Sequence, residues 1–450
     1  MKAALLVIML WNMSELVMAQ AGADLAVYKF DFGTGRAAKG YIKVTPETIY
    51  NERTGYGFHP GSNITAVVRR KSKAITSDFV TSDQPFFFSV NLPDGNYDVK
   101  VILGDVKGTS ATTVRAECRR LMLNNVCTER RQIIKQSFTV HKRDSIIRSS
   151  QAGMLSRIRL RPHEAGYLHW DNMLTLEFND SLPKVCGLEI RPNNDATTIF
   201  LTGNSTVVDQ AEEPWAAWGQ MLPGFFQAGT VVVANYAEAG ETLLAFKAEK
   251  RLDKIWSMAK PGDYLFIEFG HNDEKESRHH PDPFTYYKAV LKEYITEARM
   301  RNLVPVLVTP MNGRTFDAYG QVVNSLGDYP EAMRQTAAEE NVPLIDLHAM
   351  SSALYEALGP EESVKAFVHY EANTSNGQLP ALKDDMHVNT YGAYQLARCV
   401  AAGIINAGLP VARYLLPEKL VYTPSKPDPI DQWYWPVSPV ISHHRTAENW

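Results

Sequence analysis

The spacing of hydrophobic residues changes once along this chain, at Arg191-Pro192-Asn193-Asn194-Asp195. Before that point apolar and polar residues alternate. Beyond it, short apolar runs are separated by stretches with helical spacing. The two periods demand different backbones, so the chain divides into two architectures.

In the first part, Tyr28, Phe30 and Phe32 alternate with Lys29 and Asp31. Phe86 to Val90 leads through Pro93-Asp94-Gly95 into Tyr97, Val99 and Val101, which alternate with Asp98 and Lys100. This is a strand, a turn and a strand with one buried face. Similar runs recur at Phe138 to His141, Met173 to Phe178 and Leu188 to Ile190. Residues 27–192 are therefore predicted to form an all-β sandwich. In the second part the apolar runs are Thr198 to Leu201, Val231 to Asn235, Tyr264 to Phe269, Val304 to Val308 and Val342 to Leu347. Between them lie helical stretches such as Phe284 to Arg301. Repeated strand-helix-strand units predict a parallel sheet covered on both faces. Ligands of such sheets bind beyond the carboxyl ends of the strands. At 450 residues, with 45% hydrophobic composition, the chain can build both cores.

The polar blocks after those runs supply distinct chemical parts. Gly203-Asn204-Ser205-Thr206 places a hydroxyl past the first strand, where a following helix would favour a developing oxyanion. Gly240, in the loop after the second run, can bring its N–H close to a substrate oxygen. Asn272, in Gly270-His271-Asn272-Asp273 after the third, offers amide donors or serves as a helix cap. Asp384 precedes His387 by three residues, so it can accept from Nδ1–H and leave Nε2 free to take a serine proton. A nucleophile, two further donors and an oriented base thus appear in one order along the chain.

This pattern resembles the SGNH (GDSL-type) hydrolases, and within them the rhamnogalacturonan acetylesterases of carbohydrate esterase family twelve. The similarity rests on Gly203-Asn204-Ser205-Thr206-Val207-Val208-Asp209, Trp218-Gly219-Gln220, Gly270-His271-Asn272-Asp273, and Asp384 with His387 and Asn389. It covers residues 197–415. It implies a three-layer α/β/α hydrolase with a flavodoxin-like parallel sheet, preceded by a galactose-binding-like sandwich. It also implies Ser205 as nucleophile, His387 as base and Asp384 as its orienter. The Ser205 N–H, Gly240 N–H and Asn272 side chain would be the oxyanion donors. No metal or organic cofactor is implied. The substrate would be an acetylated plant polysaccharide, with rhamnogalacturonan leading and acetylated xylan or a simple ester as alternatives. A non-catalytic carbohydrate-binding protein is the alternative of another class. Two departures stand out: Asn204 replaces the family's Asp, and Glu241 follows Gly240 where a small residue is common.

Other features bound the reading. Met1–Ala19, with Lys2, an apolar stretch from Ala3 to Trp11 and Val17-Met18-Ala19, reads as a signal peptide for export to the periplasm or the exterior. No run is long enough to span a membrane. A net charge of -4 gives no reason to expect nucleic acid. Of the four cysteines, Cys118 and Cys127 are the pair whose closeness in sequence allows a disulfide, with free buried thiols as the alternative. His279-His280 lies near acidic residues but lacks zinc spacing. Asp346 and His348, if on a strand, face opposite ways. Arg115, Arg119, Arg120, Arg130, Arg131, Arg157, Arg159 and Arg161 read as a solvated surface or as attraction to an acidic polymer. Residues 416–450 form a Pro-rich extension whose Trp433-Tyr434-Trp435 is either a strap or a sugar-stacking patch.

Overall fold

The computed structural model describes residues 27–69, 74–148, 155–275, 281–374 and 380–439. The signal-peptide segment Met1–Ala19 and the pair His279-His280 lie outside the described residues.

Alternation in the first part produces two facing sheets. One runs Gln132–Lys142, Gly95–Asp105, Lys184–Pro192, Tyr28–Phe32, Ile42–Val44, with Asp78–Thr81 also on Lys184–Pro192 and Thr65–Val68 beside it. The other runs Tyr56–Phe58, Phe86–Asn91, Met173–Leu182, Ser110–Ala116, Arg120–Thr128. Gly95–Asp105 and Gln132–Lys142 pair antiparallel without interruption, from Gly95↔Lys142 to Asp105↔Gln132. Inward-facing residues of both sheets make one core. Phe88 sits at its centre, its ring edge-on to Phe30, Phe32 and Phe58 at centroid distances of 5.1, 5.0 and 5.2 Å.

In the second part five parallel strands take the order Val231–Asn235, Thr197–Thr202, Tyr264–Ile267, Val304–Val308, Leu344–Ile345. Successive residues feed opposite cores, as the strand period requires. Ile199, Leu201, Val306 and Val308 face the layer containing Leu347–Glu362 and Thr390–Asn406. Phe200, Leu265 and Leu307 face the layer containing Leu243–Ala248, Arg251–Trp256, Lys288–Met300 and Tyr329–Glu340. The result is a three-layer α/β/α fold behind a β-sandwich.

The halves are not separate cores on a linker. Ile147, Ile158 and Trp170 belong to the first part in sequence, yet they pack into the helical core of the second. The C-terminal extension binds both halves. The Trp433 and Trp435 rings stack at 6.1 Å, and their Nε1 atoms donate to Thr390 Oγ1 and Glu213 Oε1. Arg115 lies 3.8 Å from the Trp435 ring centroid and donates to Ser438 and to the Pro436 carbonyl. The strap is therefore the account that fits these two rings.

Several expectations need correction. Arg115, Arg119 and Arg120 are buried, at 0%, 4% and 1% exposure, and take part in ion pairs with Glu177, Glu213 and Asp209. They are unavailable to an external polymer. Asp346 and His348 are not on a strand: Asp346 caps the helix Leu347–Glu362, and His348 lies in its first turn. Asp346 pairs with Arg334 while His348 contacts Asn324. The cysteines are all free. Cys118 sits at the turn between Ser110–Ala116 and Arg120–Thr128, and Cys127 is far down the second strand opposite Ala111. That separates them by roughly 20 Å at the strand rise, beyond the roughly 7 Å a bridge tolerates.

Burial pushes the thiols of Cys118, Cys186 and Cys399 each up to about 12, while Cys127 is exposed. Thiol titration of native protein at neutral pH is expected to find Cys127 alone, and all four cysteines after denaturation, without reductant. A gain of two thiols on adding reductant would contradict this structure.

Candidate active site

The site lies at the carboxyl end of the parallel sheet, where the first and third strands diverge in connection. Ser205 follows Thr197–Thr202 by three residues in a single tight turn. Both the Val207 and Val208 N–H groups donate to the Asn204 carbonyl at 3.0 Å. No helix continues from this turn; the next one begins at Trp218. The expected helix dipole behind Ser205 is thus absent.

Asp384 and His387 stand on Leu382–Val388, which pairs with Phe367–Tyr370 outside the parallel sheet. Asp384 Oδ1 accepts from the Met386 and His387 N–H groups, each at 2.9 Å. Its Oδ2 accepts from His387 Nδ1 at 2.7 Å. That bond fixes the tautomer, leaving Nε2 as acceptor toward Ser205 Oγ at 2.9 Å. Burial works to raise the Asp384 pKa, but the hydrogen bonds from the His387 side chain and backbone prevail and hold it at about 2. Asn389 secures this segment. It caps Thr390–Asn406 by accepting from Tyr391 N and Gly392 N, and donates to the Lys365 and Phe367 carbonyls.

The glycine and asparagine loops are tied to the serine loop. Glu238 N donates to the Gly203 carbonyl at 3.2 Å, and Asn272 Nδ2 donates to the Glu241 carbonyl at 3.0 Å. Lys275 Nζ donates to Asn272 Oδ1 at 2.7 Å, which sets the amide's orientation. An amide NH2 carries two hydrogens, so a second donor remains. Asp273 accepts from Gly270 N and Leu243 N, both at 3.1 Å, and closes the turn. Gly240 has φ +79°, a conformation that favours glycine.

The sequence pattern left out several supports. Gln210 Nε2 donates to the Ser205 carbonyl at 2.9 Å. Asn235 Nδ2 donates to the Val207 carbonyl and to Asp209, at 2.7 and 2.8 Å. Asp209 also meets Arg120 of the sandwich at 2.8 Å. Glu268 lies buried under the serine turn, its Oε1 2.7 Å from the Thr206 hydroxyl and its Oε2 accepting from Trp218 Nε1. A carboxylate near the end of an otherwise apolar run was the available signal for Glu268. Glu241, which stands where a small residue is common, is enclosed between Arg161 and Arg251 at 2.9 and 3.2 Å. Burial, then its contact with Glu249, pushes its carboxyl up to about 9. Both guanidiniums stand against this carboxyl, so its Oε1 is engaged with the arginines.

A hydroxyl bonded to an imidazole that is itself oriented by a carboxylate is suited to acyl transfer. Comparisons with known proteins agree with this chemistry. Residues 201–393 match the GDSL-like Lipase/Acylhydrolase family. Residues 28–134 match the family described as Beta-agarase/YXIM esterase-like, galactose-binding domain-like. Rhamnogalacturonan acetylesterase RhgT of Bacillus subtilis (strain 168) is 40% identical over 220 residues, 48% of this chain and 94% of that protein. The uncharacterized esterase YxiM of the same organism is 28% identical over 396 residues, 86% of this chain and 93% of that protein. The crystal structure of the B. subtilis YxiM protein aligns over 86% of this chain and 99% of its own, at 26% identity and a TM-score of 0.45.

Replacing Asp384 by Asn is expected to lower kcat for ester hydrolysis roughly 10,000-fold, because the amide cannot hold the same tautomer. Asp384's folded pKa is depressed, so its contribution to stability is present above 3.8 and lost as pH falls through about 2. Acid titration of stability should therefore flatten in that window for Asp384→Asn. Undiminished turnover in the variant would remove Asp384 from the chemistry.

Proposed function

We propose a substrate and a route for this chain, which belongs to the GDSL-like lipase/acylhydrolase family and is a serine esterase: it removes acetyl groups from plant cell-wall polysaccharide, with acetylated rhamnogalacturonan as the leading substrate. The observation that carries the route is the hydrogen-bond chain Ser205–His387–Asp384, at 2.9 and 2.7 Å. The substrate class is supported by the similarity to RhgT, which spans 94% of that protein.

In this reading Ser205 Oγ attacks the acetyl carbonyl carbon while His387 Nε2 takes the hydroxyl proton. The carbonyl oxygen becomes an oxyanion and accepts hydrogen bonds from the Ser205 N–H, the Gly240 N–H and Asn272 Nδ2. Collapse breaks the bond to the sugar oxygen, which leaves with the proton from His387. Acetyl-Ser205 remains. Water, deprotonated by His387, then attacks it. Acetate departs and Ser205 recovers its proton. Asp384 stays ionised and stabilises the imidazolium at each step.

The sandwich is assigned to residues 27–192, the hydrolase to 197–415 and the strap to 416–450. Met1–Ala19 is proposed to be removed on export, and mass measurement of the exported protein should find a chain starting at Gln20.

Acetate release from acetylated rhamnogalacturonan, acetylated xylan and an aryl acetate tests the function directly. Ser205→Ala is expected to lose several orders of magnitude on each, with the polysaccharide rate highest on rhamnogalacturonan. A faster wild-type rate on xylan would reassign the substrate. No ester hydrolysis at all would favour a carbohydrate-binding role, and equal rates in wild type and variant would refute Ser205 as nucleophile.

A further inference from the structure

The loop carrying Gly240 is held from the sandwich side by Arg161, next to a contact of His163 Nε2 with Glu238 Oε1 at 3.2 Å. Arg161 Nη1 donates to the Ala239 carbonyl at 2.5 Å. Its Nη2 reaches the Glu241 carboxyl at 2.9 Å, and its Nε reaches Glu249 at 3.1 Å. Arg161 is itself fixed: its backbone N–H donates to Glu164 Oε2 at 2.8 Å. Glu164 in turn accepts from Nη1 and Nη2 of Arg251, at 3.1 and 2.5 Å, and from Trp170 Nε1 at 2.9 Å. Arg251 then returns to Glu241 and Glu249 at 3.2 and 3.1 Å, closing the network.

The Ala239 carbonyl and the Gly240 N–H belong to the same peptide group. A trans peptide is planar, with its C=O and N–H pointing in opposite directions. A guanidinium gripping the carbonyl therefore sets where the N–H points, and that direction is away from Arg161. A cation on the carbonyl oxygen also polarises the peptide and strengthens its N–H as a donor. Gly240 is matched to this arrangement. A Cβ there would stand 2.6 Å from Arg161 Nη1, in addition to the strain of φ +79°.

We infer that Arg161 of the sandwich is a positioning residue for the esterase, holding and polarising the Ala239–Gly240 peptide so that its N–H serves the oxyanion. The inference rests on the role of Gly240 in the proposed function. The charges around Arg161 are consistent with it. Burial works to raise Glu164 and Glu249, but the charge of Arg251 overrides it for Glu164, and a hydrogen bond from Glu241 to Glu249, with the charges of Arg251 and Arg161, overrides it for Glu249. Arg161 and Arg251 thus lie among the carboxyls of Glu164, Glu241 and Glu249. Glu164, His169 and Glu238 place ligand-type atoms within 4.8 Å of one another, but the Glu164 oxygens are already taken by the Arg251 guanidinium. The group is a hydrogen-bonded clamp rather than a metal site.

The test uses the full chain and an aryl acetate, with Arg161→Ala, Arg161→Lys and Ser205→Ala beside wild type. A donor that acts only on the transition state affects kcat and spares KM. Arg161→Ala is expected to lower kcat about 10- to 100-fold, less than outright removal of an oxyanion donor, with KM within about twofold. Arg161→Lys, which keeps a charged donor near the Ala239 carbonyl, is expected to recover part of that loss. A lowered melting temperature with unchanged kcat would overturn the inference and leave Arg161 a structural ion pair. Should the Ala variant fail to fold, Arg161→Lys decides: wild-type kcat overturns the inference, and reduced kcat at unchanged KM supports it. An inactive wild type would overturn the proposed function and this inference with it, whereas an active wild type with an equally active Arg161→Ala overturns the inference alone.

Discussion

Arg120 and Asp209 meet at 2.8 Å in a contact from which water is excluded, at 1% and 0% side-chain exposure. One comes from the sandwich and the other from the loop after Ser205. A buried charge left without its partner costs about 3–5 kcal/mol, so neither half can move off the other cheaply. The same seam contains Arg119, which donates to the Gln210 and Trp215 carbonyls, and Gln220, which donates to the Cys118 carbonyl. Planar guanidinium forks suit these multiple fixed acceptors better than an ammonium would. The serine loop is therefore shaped from outside its own domain. Asp209 bonds Asn235, Asn235 bonds the Val207 carbonyl, and the Ser205 turn is set by that chain.

His387 arrives by a different route. Ser205, Gly240 and Asn272 come from loops of neighbouring parallel strands, and their mutual placement follows from the sheet. Asp384 and His387 stand on an antiparallel pair beside it, so the sheet register does not place them. Their placement depends on the Asn389 cap and on the long helix Thr390–Asn406, which packs on the sheet through Leu396, Val400 and Ile404. Trp433 then bonds Thr390 at the first turn of that helix. The C-terminal strap thus supports His387, while the sandwich supports the serine and glycine loops.

The division into two folds and the four chemical blocks were legible because each is local. Strand and helical periods are set by near neighbours, and a polar residue directly after an apolar run lies at a strand end whatever the rest of the chain does. Asp384 and His387 were legible for the same reason, being three residues apart. What could not be read were contacts between distant residues. Arg161 and Glu241 obey no common period, and the arginines of the first part carry no mark separating buried from solvated. Cys118 and Cys127 show the converse error. Nearness in sequence suggested a bridge, but a hairpin strand carries nearby residues apart in space. The helix expected after Ser205 failed likewise, because strand-turn-helix is the common sequel and this loop instead runs to Trp218 through contacts with the sandwich.

Asn204, the departure from the family pattern, gains a physical account from the groups beneath it. The Thr206 hydroxyl lies 2.9 Å from Asn204 Oδ1 and 2.7 Å from Glu268 Oε1, yet it has a single proton to give. Both contacts are satisfied if Glu268 is the acid, donating to Thr206 while Thr206 donates to Asn204. Burial does push Glu268 up, to about 7, against the opposing hydrogen bonds from Thr206 and Trp218. A raised carboxyl contributes its stability below the ordinary value of 4.5 and loses it as pH rises through about 7. Below that, the floor of the serine turn is an uncharged chain of donors. An aspartate at position 204 would set a second carboxyl on the same hydroxyl, next to where an oxyanion has to form. The amide keeps the acceptor that Thr206 needs without adding that charge.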